Sequence, residues 1–578
     1  MTHALMFLAL TAAPADPPAP VATRVADFTR TDAATGKPWT LAENTREAKA
    51  TVVLFFHTGC PVATAYVPKL LDMHKRYAKE GVAFVAVNSI SSDTLADVAA
   101  QVKEYKLPFP VLKDDGTTLA DKFAVERVPT AFVLDAGKMV RYAGRIDDQF
   151  APGVHKPAAT TRELGRAIDA VIEGREVKVT HAPVAGCKLT REKAKAADAP
   201  TVTYHAHVSR VVQAKCQECH RPGESGPFAL MTYTQTKAWA DMIRDVVADD
   251  VMPPWHADAP RGHFSNDRRL TADEKKTLLA WVDQGCPEGD PKDAPEPRKY
   301  TDGWRLPRTP DAVIKMREPV NVPAQTLIKG MPYSYVEAGE PFAEDKWVTA
   351  VEVRPEYRAV VHHIIVFVIP PGKKFFDLDL QNFGQYILGG YVPGDAPIIA
   401  PPNSAKKIAK GSQLLFEMHY TPNGRPGRDQ SMVGLLYAKE PPKIEIESKA
   451  IMNNKFVIPA GDSSHEVKSY HRCEKETTIY ALTPHMHVRG KAFKFELVKA
   501  DGSREVLLNV PKYDFNWQAS YTLAKPRVVP AGSTIECTAW FDNSDKNPVN
   551  PDPSKHVRWG NQTWEEMMIG FMEYSESK

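Results

Sequence analysis

The apolar pattern of this chain changes period twice, and no single fold satisfies all three patterns. From about residue 22 to 185, short apolar runs alternate with helical stretches: TVVLFF (51–56), a helix near 64–80, VAFVAVNS (82–89), a helix near 93–105, VPTAFVLD (128–135) and a helix near 161–174. Strand–helix–strand order predicts an α/β domain with a mostly parallel central sheet. Residues 201–290 read as helical. Their clearest element, TADEKKTLLAWVDQG (271–285), opens with Thr271 as N-cap and Glu274 three residues later, a capping box, and stops at Gly285. From about 311 onward come turn-separated strands such as VHHIIVFVI, SQLLFEMHYT, TTIYALTPHMHVRG and STIECTAWFDNS, the pattern of all-β sandwiches. With 578 residues the chain exceeds what one core supports. The expected division is 21–190, 200–290, 311–445 and 446–578. A Lys/Ala-rich linker (191–200) and a Pro-rich charged one (287–300) separate the first three.

Residues 1–20, with the apolar run ALMFLALTAA, fit a secretory signal and so a periplasmic or secreted protein; the n-region lacks Lys and Arg. No later run is long enough to span a bilayer. A formal charge of +2 gives no basic field to assign to nucleic acid.

Cys60, in VVLFFHTGCPVATAYVPKL, follows an apolar strand and opens a helix, where the helix dipole and free N–H groups favour a thiolate. Val128-Pro129-Thr130 precedes a later strand, in the manner of a cis-proline loop. The segment resembles the thioredoxin and peroxiredoxin-like redoxins. It departs from them at Ala63, where C-P-V-A replaces C-x-x-C, which excludes a dithiol formed by Cys60 and a near neighbour. Cys187 is a candidate distant resolving partner, and a structural disulfide is the alternative. Among the remaining cysteines, Cys473 with Cys537 is one candidate pair.

AKCQECHRPGESGPFAL holds a C-x-x-C-H motif at Cys216, Cys219 and His220. The i, i+3, i+4 spacing puts two thiols and an imidazole on one face of a helical turn. There the thiols add to haem vinyl groups and the histidine becomes an axial iron ligand. Met252, in DVMPPWHA, is the candidate second ligand. A zinc ribbon needs a second Cys/His pair at matching spacing, and Cys286, His256 and His263 fit that poorly. The region resembles a small all-α cytochrome c with one covalently bound haem c.

In the β-rich half, His362-His363, His419, His485-x-His487 and the Met-rich EEMMIGFMEY stand out. Residues i and i+2 of a strand share a face, about 6.7 Å apart, so His485 and His487 can reach one ion. Adjacent His362 and His363 point oppositely in a regular strand, and using both on one metal requires a bulge or different ring nitrogens. His419 offers a third nitrogen from a neighbouring strand. Imidazole trios and imidazole–thioether sets both suit copper.

The order HH … H … HxH … M resembles the copper type II, ascorbate-dependent monooxygenases, the peptidylglycine alpha-hydroxylating and dopamine beta-monooxygenase family, over about residues 311–578. The resemblance implies two jelly-roll-like sandwiches of eight to nine strands, each with a copper on its facing surface. It implies one copper on His362, His363 and His419, which stores and delivers an electron. A second, on His485, His487 and Met567, is where O2 is activated and a C–H bond hydroxylated; Met568 is the alternative sulfur ligand. The implied partners are O2, a small-molecule or peptide substrate, and an electron donor, either ascorbate or a redox protein. The attached haem is a candidate for that donor. Two other functions compete: a non-catalytic electron-transfer or copper-handling protein, and a thiol peroxidase-like redoxin in which Cys60 does the chemistry.

Overall fold

A computed structural model describes residues 21–156, 158–191, 201–301, 303–325 and 331–577. The signal-like run and most of the first linker lie outside these residues. The chain forms two compact units, one from residues 21–152 with 159–191, the other from 153–158 with 201–577.

The first unit is built on a six-stranded sheet in the order His181–Ala182, Val140–Gly144, Thr130–Asp135, Ala50–Phe55, Val82–Asn88, Val111–Lys113. Helices Pro61–Tyr77, Leu95–Tyr105 and Glu163–Ile172 connect or follow the strands. Every residue of Ala50–Phe55 is buried, as a central strand covered on both faces requires. The sheet is mostly parallel, as the strand–helix alternation predicts, with His181–Ala182 parallel to Val140–Gly144 at one edge and a single strand running against the rest. Ala50–Phe55 pairs parallel with Val82–Asn88, which pairs parallel with Val111–Lys113. Thr130–Asp135 runs antiparallel to both its neighbours. The four residues between Asp135 and Val140 cannot make a crossover, so the chain turns back as a hairpin.

In the second unit, residues 204–293 carry helices, including Ser209–Lys215, Ala240–Ala248 and Ala272–Asp283. The capping box is present: the Thr271 side chain accepts from the Glu274 amide and Glu274 accepts from the Thr271 amide. This segment is not a body packed on itself alone. Trp255, Ala257 and Phe264 are buried in one core with Phe493, Phe495, Leu508, Tyr521 and Ala539 of the last β-rich region. Backbone bonds run alongside, Asp258 N–H to the Asn509 carbonyl and Ser265 N–H to the Thr522 carbonyl. The Pro-rich 287–300 stretch, read as a linker, therefore joins segments that are already packed together.

The first sandwich packs a six-stranded sheet, centred on Lys346–Arg354 and Met432–Tyr437, against a four-stranded sheet. The latter has the order Ser334–Ala338, Gln413–Tyr420, Val361–Ile369, Ile387–Tyr391. The second sandwich packs two four-stranded sheets. One has the order Glu447–Met452, Ile569–Glu576, Thr477–His485, Tyr521–Val529; the other, His465–Arg472, Thr534–Phe541, Gly490–Val498, Arg504–Val510. The first sandwich thus exceeds the eight to nine strands that the resemblance implies.

Cys473 and Cys537 do not bridge. Ser469 is the register partner of Cys537, and Cys473 lies four residues further along, bonded to Ser533. Four strand residues span about 13 Å, against the roughly 7 Å limit between the Cα atoms of a disulfide.

Candidate metal centre

Two strand faces turned away from their own cores hold the histidines. In Gln413–Tyr420, the residues Leu414, Phe416, Met418 and Tyr420 enter the core of the first sandwich, so His419 projects from the other face. In Val361–Ile369, Val361, Ile364 and Val366 enter that core. The spacing is irregular because the ladder shifts register between Val361 and His363. That bulge adds one residue to the strand, and both His362 and His363 fall on the His419 side. It is the local distortion that a shared site for adjacent histidines requires. His363 is the register partner of His419.

One ligand nitrogen from each of His362, His363 and His419 lies within 4.8 Å of the others. Nδ1 of His362 is 3.1 Å from Nδ1 of His363, while Nε2 of His362 and Nδ1 of His419 are buried without a hydrogen-bond partner. Unsatisfied buried nitrogens are costly unless something accepts their lone pairs or protons. Burial pushes the His362 pKa down to about 4 and those of His363 and His419 well below the ordinary value, with repulsion between the imidazoles adding to it. The three rings are neutral at pH 7, the form that binds a metal.

In the second sandwich, Leu482 and Met486 enter the core, so His485 and His487 project away from it, with ring centroids 5.3 Å apart. Gln518 Oε1 lies 2.6 Å from His485 Nδ1, and the Glu565 carbonyl 3.2 Å from His487 Nδ1. These contacts orient the rings and leave each Nε2 toward the site, that of His487 buried and unpartnered. Burial lowers both histidines, His485 to about 4.

The two candidate thioether residues part company. Met568 is fully buried in the core of the second sandwich, where its sulfur accepts from Ser469 Oγ at 3.2 Å. Met567 is half-buried and lies two residues before strand Ile569–Glu576, whose ladder to the His485 strand ends at the pair His485 and Ile569. Phe571 lies 6.3 Å from His485 between ring centroids.

The two histidine sets adjoin. His363 and His485 are 6.4 Å apart, and Phe515 stacks on His362 at 4.8 Å with 6.0 Å to both His419 and His487. Tyr333 closes the first set, 4.8 Å from His419 and 5.6 Å from His363.

Sequence reasoning missed Phe515, Tyr333 and Gln518, which carry no spacing signal. It also missed Glu566, whose signal was present in the acidic pair before the methionines. The Glu566 carboxylate is buried and accepts from the His487 amide at 2.8 Å and the Arg489 amide at 2.6 Å. It thereby fixes the loop that aims the HxH pair. Burial raises its pKa to about 7 against the opposing pull of the buried Arg489.

The C-x-x-C-H residues form one turn after helix Ser209–Lys215: the amides of Cys219 and His220 both donate to the Cys216 carbonyl. His220 Nδ1 meets the Phe228 carbonyl at 3.1 Å, leaving Nε2 for a ligand. Met252 lies on the loop beyond Ala240–Ala248, half-buried, its amide donating to the Val246 carbonyl. A loop of the first sandwich abuts the motif: a Cβ on Gly394 would stand 3.3 Å from Cys219 Sγ.

In the first unit, Cys60 is the N-cap of Pro61–Tyr77 and is fully buried beside the Val128–Pro129 peptide, which is cis. Burial pushes its thiol pKa up. Hydrogen bonds from the Cys187 thiol and from the amides of Ala63, Cys187 and Val62 outweigh this, and the net shift is downward.

Residues 21–143 match the AhpC/TSA family, and residues 446–577 match the copper type II ascorbate-dependent monooxygenase C-terminal domain. The thiol-disulfide oxidoreductase ResA of Bacillus cereus is 30% identical over 95 residues, 16% of this chain and 54% of that protein. ResA of Halalkalibacterium halodurans is 27% identical over 105 residues, 18% of this chain and 58% of that protein. The chain spans about half the length of the curated relatives it matches. Among solved structures, a hypothetical protein from Sinorhizobium meliloti 1021 is 35% identical, covering 29% of this chain and 92% of its own, with a TM-score of 0.27. No helix among the described residues is long and apolar enough to cross a membrane. The chain thus joins a thioredoxin-like segment that matches the AhpC/TSA family to a C-terminal segment that matches the C-terminal domain of the copper type II ascorbate-dependent monooxygenases.

Proposed function

We propose that the second unit is a copper-dependent monooxygenase hydroxylating a C–H bond of a small-molecule or peptide substrate with O2, and that it draws electrons through a c-type haem on its own chain. The observation that carries the reading is the convergence of five neutral imidazoles, four buried and His362 half-buried, from distant stretches of the chain, three of them with ligand nitrogens within 4.8 Å. His362, His363 and His419 would hold one copper; His485, His487 and Met567 would hold the other. Imidazole suits either copper oxidation state, and a thioether favours Cu(I). Copper supplies electron transfer at the first site and O2 activation at the second.

The chain's own part is to hold and exclude. Gln518 and the Glu565 carbonyl fix the tautomer and direction of His485 and His487, and Glu566 holds the intervening loop. Phe515, Tyr333 and Phe571 line the site with aromatic surface that limits water.

Cys216, Cys219 and His220 suit covalent haem attachment, with two thiols on one turn and a histidine oriented through Nδ1. Met252 would supply a second protein ligand to the haem iron. The loop carrying Gly394 touches Cys219, and it follows strand Ile387–Tyr391, whose Tyr391 pairs with Ile364 next to His363. A path this short through one loop and one strand favours electron delivery from the C-x-x-C-H turn to the first copper over diffusive reduction.

Protein matured in a periplasm is expected to hold two coppers and one haem per chain by metal analysis and absorption spectroscopy. Stopped-flow mixing of reduced protein with O2 should show haem oxidation that depends on copper. Haem oxidation at the same rate in copper-free protein would refute the assignment.

A further inference from the structure

The thioredoxin-like unit holds a pair of thiols that the copper chemistry does not use. Cys187 sits on the two-residue strand Cys187–Lys188, which pairs antiparallel with Arg127–Val128, so that Cys187 is the register partner of Val128. The Cys60 thiol reaches the carbonyl of the same Val128 at 3.5 Å. The two sulfurs are not bonded to each other, both are buried, and the Cys187 thiol hydrogen-bonds to Cys60.

The fit along this strand is close. A Cβ on Gly186 would collide with the Val128 carbonyl oxygen, so only glycine permits the approach. Arg127 Nη1 donates to the Gly186 carbonyl at 3.0 Å, the Leu189 amide to the Glu126 carbonyl at 2.9 Å, and Arg191 pairs with Asp121 at 2.7 Å. The segment 186–191 is thus laid over the thiol by specific contacts.

We propose that Cys60 and Cys187 form a reversible dithiol–disulfide couple, in which Cys187 stands in for the second cysteine absent at Ala63 and the couple reduces low-molecular-weight disulfides. Cys60 is fully buried beneath the Cys187 strand, and admitting a small disulfide takes a smaller displacement of that strand than admitting a folded protein, which argues for a small substrate. The Cys60 thiolate attacks one sulfur of R–S–S–R, forming a mixed disulfide and releasing one thiolate. Cys187 then loses its proton and attacks the Cys60 sulfur, forming the intramolecular disulfide and expelling the second thiolate, which the proton neutralises. Two electrons pass from the protein to the small disulfide. The depressed Cys60 thiol and the Cys187 thiol, which its hydrogen bond to Cys60 and burial hold upward, suit attacker and resolver respectively.

The test is a redox titration of the full-length protein in glutathione buffers, read by peptide mapping. The expected result is a Cys60–Cys187 cross-link that forms with a two-electron slope and is reversed by dithiothreitol in the folded protein. Cys187→Ser, checked for native melting, should accumulate glutathione on Cys60, the mixed disulfide lasting at least ~10-fold longer than in wild type because the intramolecular thiol no longer competes at high effective concentration. Gly186→Ala, which lifts the strand without touching either sulfur, should slow cross-linking and leave Cys60 reactive. The proposal is overturned by absence of the cross-link at every poise, by a cross-link that resists reduction in the folded protein, or by fast resolution in Cys187→Ser.

Discussion

Met567 and Met568 are neighbours with opposite duties, and exchanging each for alanine separates ligand from core. Met568 is fully buried among Met486, Cys537 and Met572 and accepts a hydrogen bond from Ser469. Its truncation leaves a cavity, while the Ser469 hydroxyl keeps the Ile451 carbonyl as acceptor, a loss of about 2–5 kcal/mol for Met→Ala in a core. That corresponds to a fall of roughly 3–6 °C in the melting temperature of the metal-free protein. Met567 is half-buried outside that core, and Met567→Ala should move that melting point by less than about 1 °C. The second measurement is Cu(I) titration against a competing chelator. Met567→Ala should weaken one of two Cu(I) sites, whereas Met568→Ala should keep both affinities in protein still folded at the assay temperature. Melting unchanged in Met568→Ala, or Cu(I) binding lost there and kept in Met567→Ala, would refute this division of duties.

Acidification should destabilise metal-free protein. His485 has a pKa of about 4 in the fold and 6.5 when free, so the unfolded chain takes the proton first as pH falls. Stability is complete above pH 6.5 and declines toward pH 4, by about 3 kcal/mol for this residue alone; denaturant melts at pH 7 and pH 4.5 check the sign. Glu566→Gln should lower stability by about 1 kcal/mol, because an amide oxygen accepts the His487 and Arg489 amide donors less strongly than a carboxylate, and should weaken copper binding through the loosened HxH loop, read by the same chelator titration. Removing copper from loaded protein by chelation should lower the melting temperature, the shift growing with the logarithm of free copper before removal.

The strands bearing the histidines were legible because apolar alternation and turn residues are local signals. Residues His485 and His487 share a face by periodicity alone. The His362–His363 pair was not decidable that way, since its common direction depends on a bulge created by pairing with Gln413–Tyr420. The choice between Met567 and Met568 needed the packing of Met568 into the core of the second sandwich, which a chain end after loop 542–568 does not reveal. Glu566, Gln518 and Phe515 act across long sequence separations, with no motif to announce them. The mostly parallel sheet was legible from the alternation, but the one reversed strand, Thr130–Asp135, was not, since the hairpin after Asp135 is too short for the helix that alternation suggests. The Pro-rich 287–300 stretch looked like a boundary by composition, but composition carries no record of where Trp255 and Phe264 are buried.

Those two aromatics have a practical consequence. Severing the chain near residue 290 would expose two large rings on one fragment and leave the matching hollow in the other. Neither piece is expected to be a faithful miniature of its parent. Residues 201–577 should melt in a single calorimetric transition and should be produced, purified and metallated as an undivided whole.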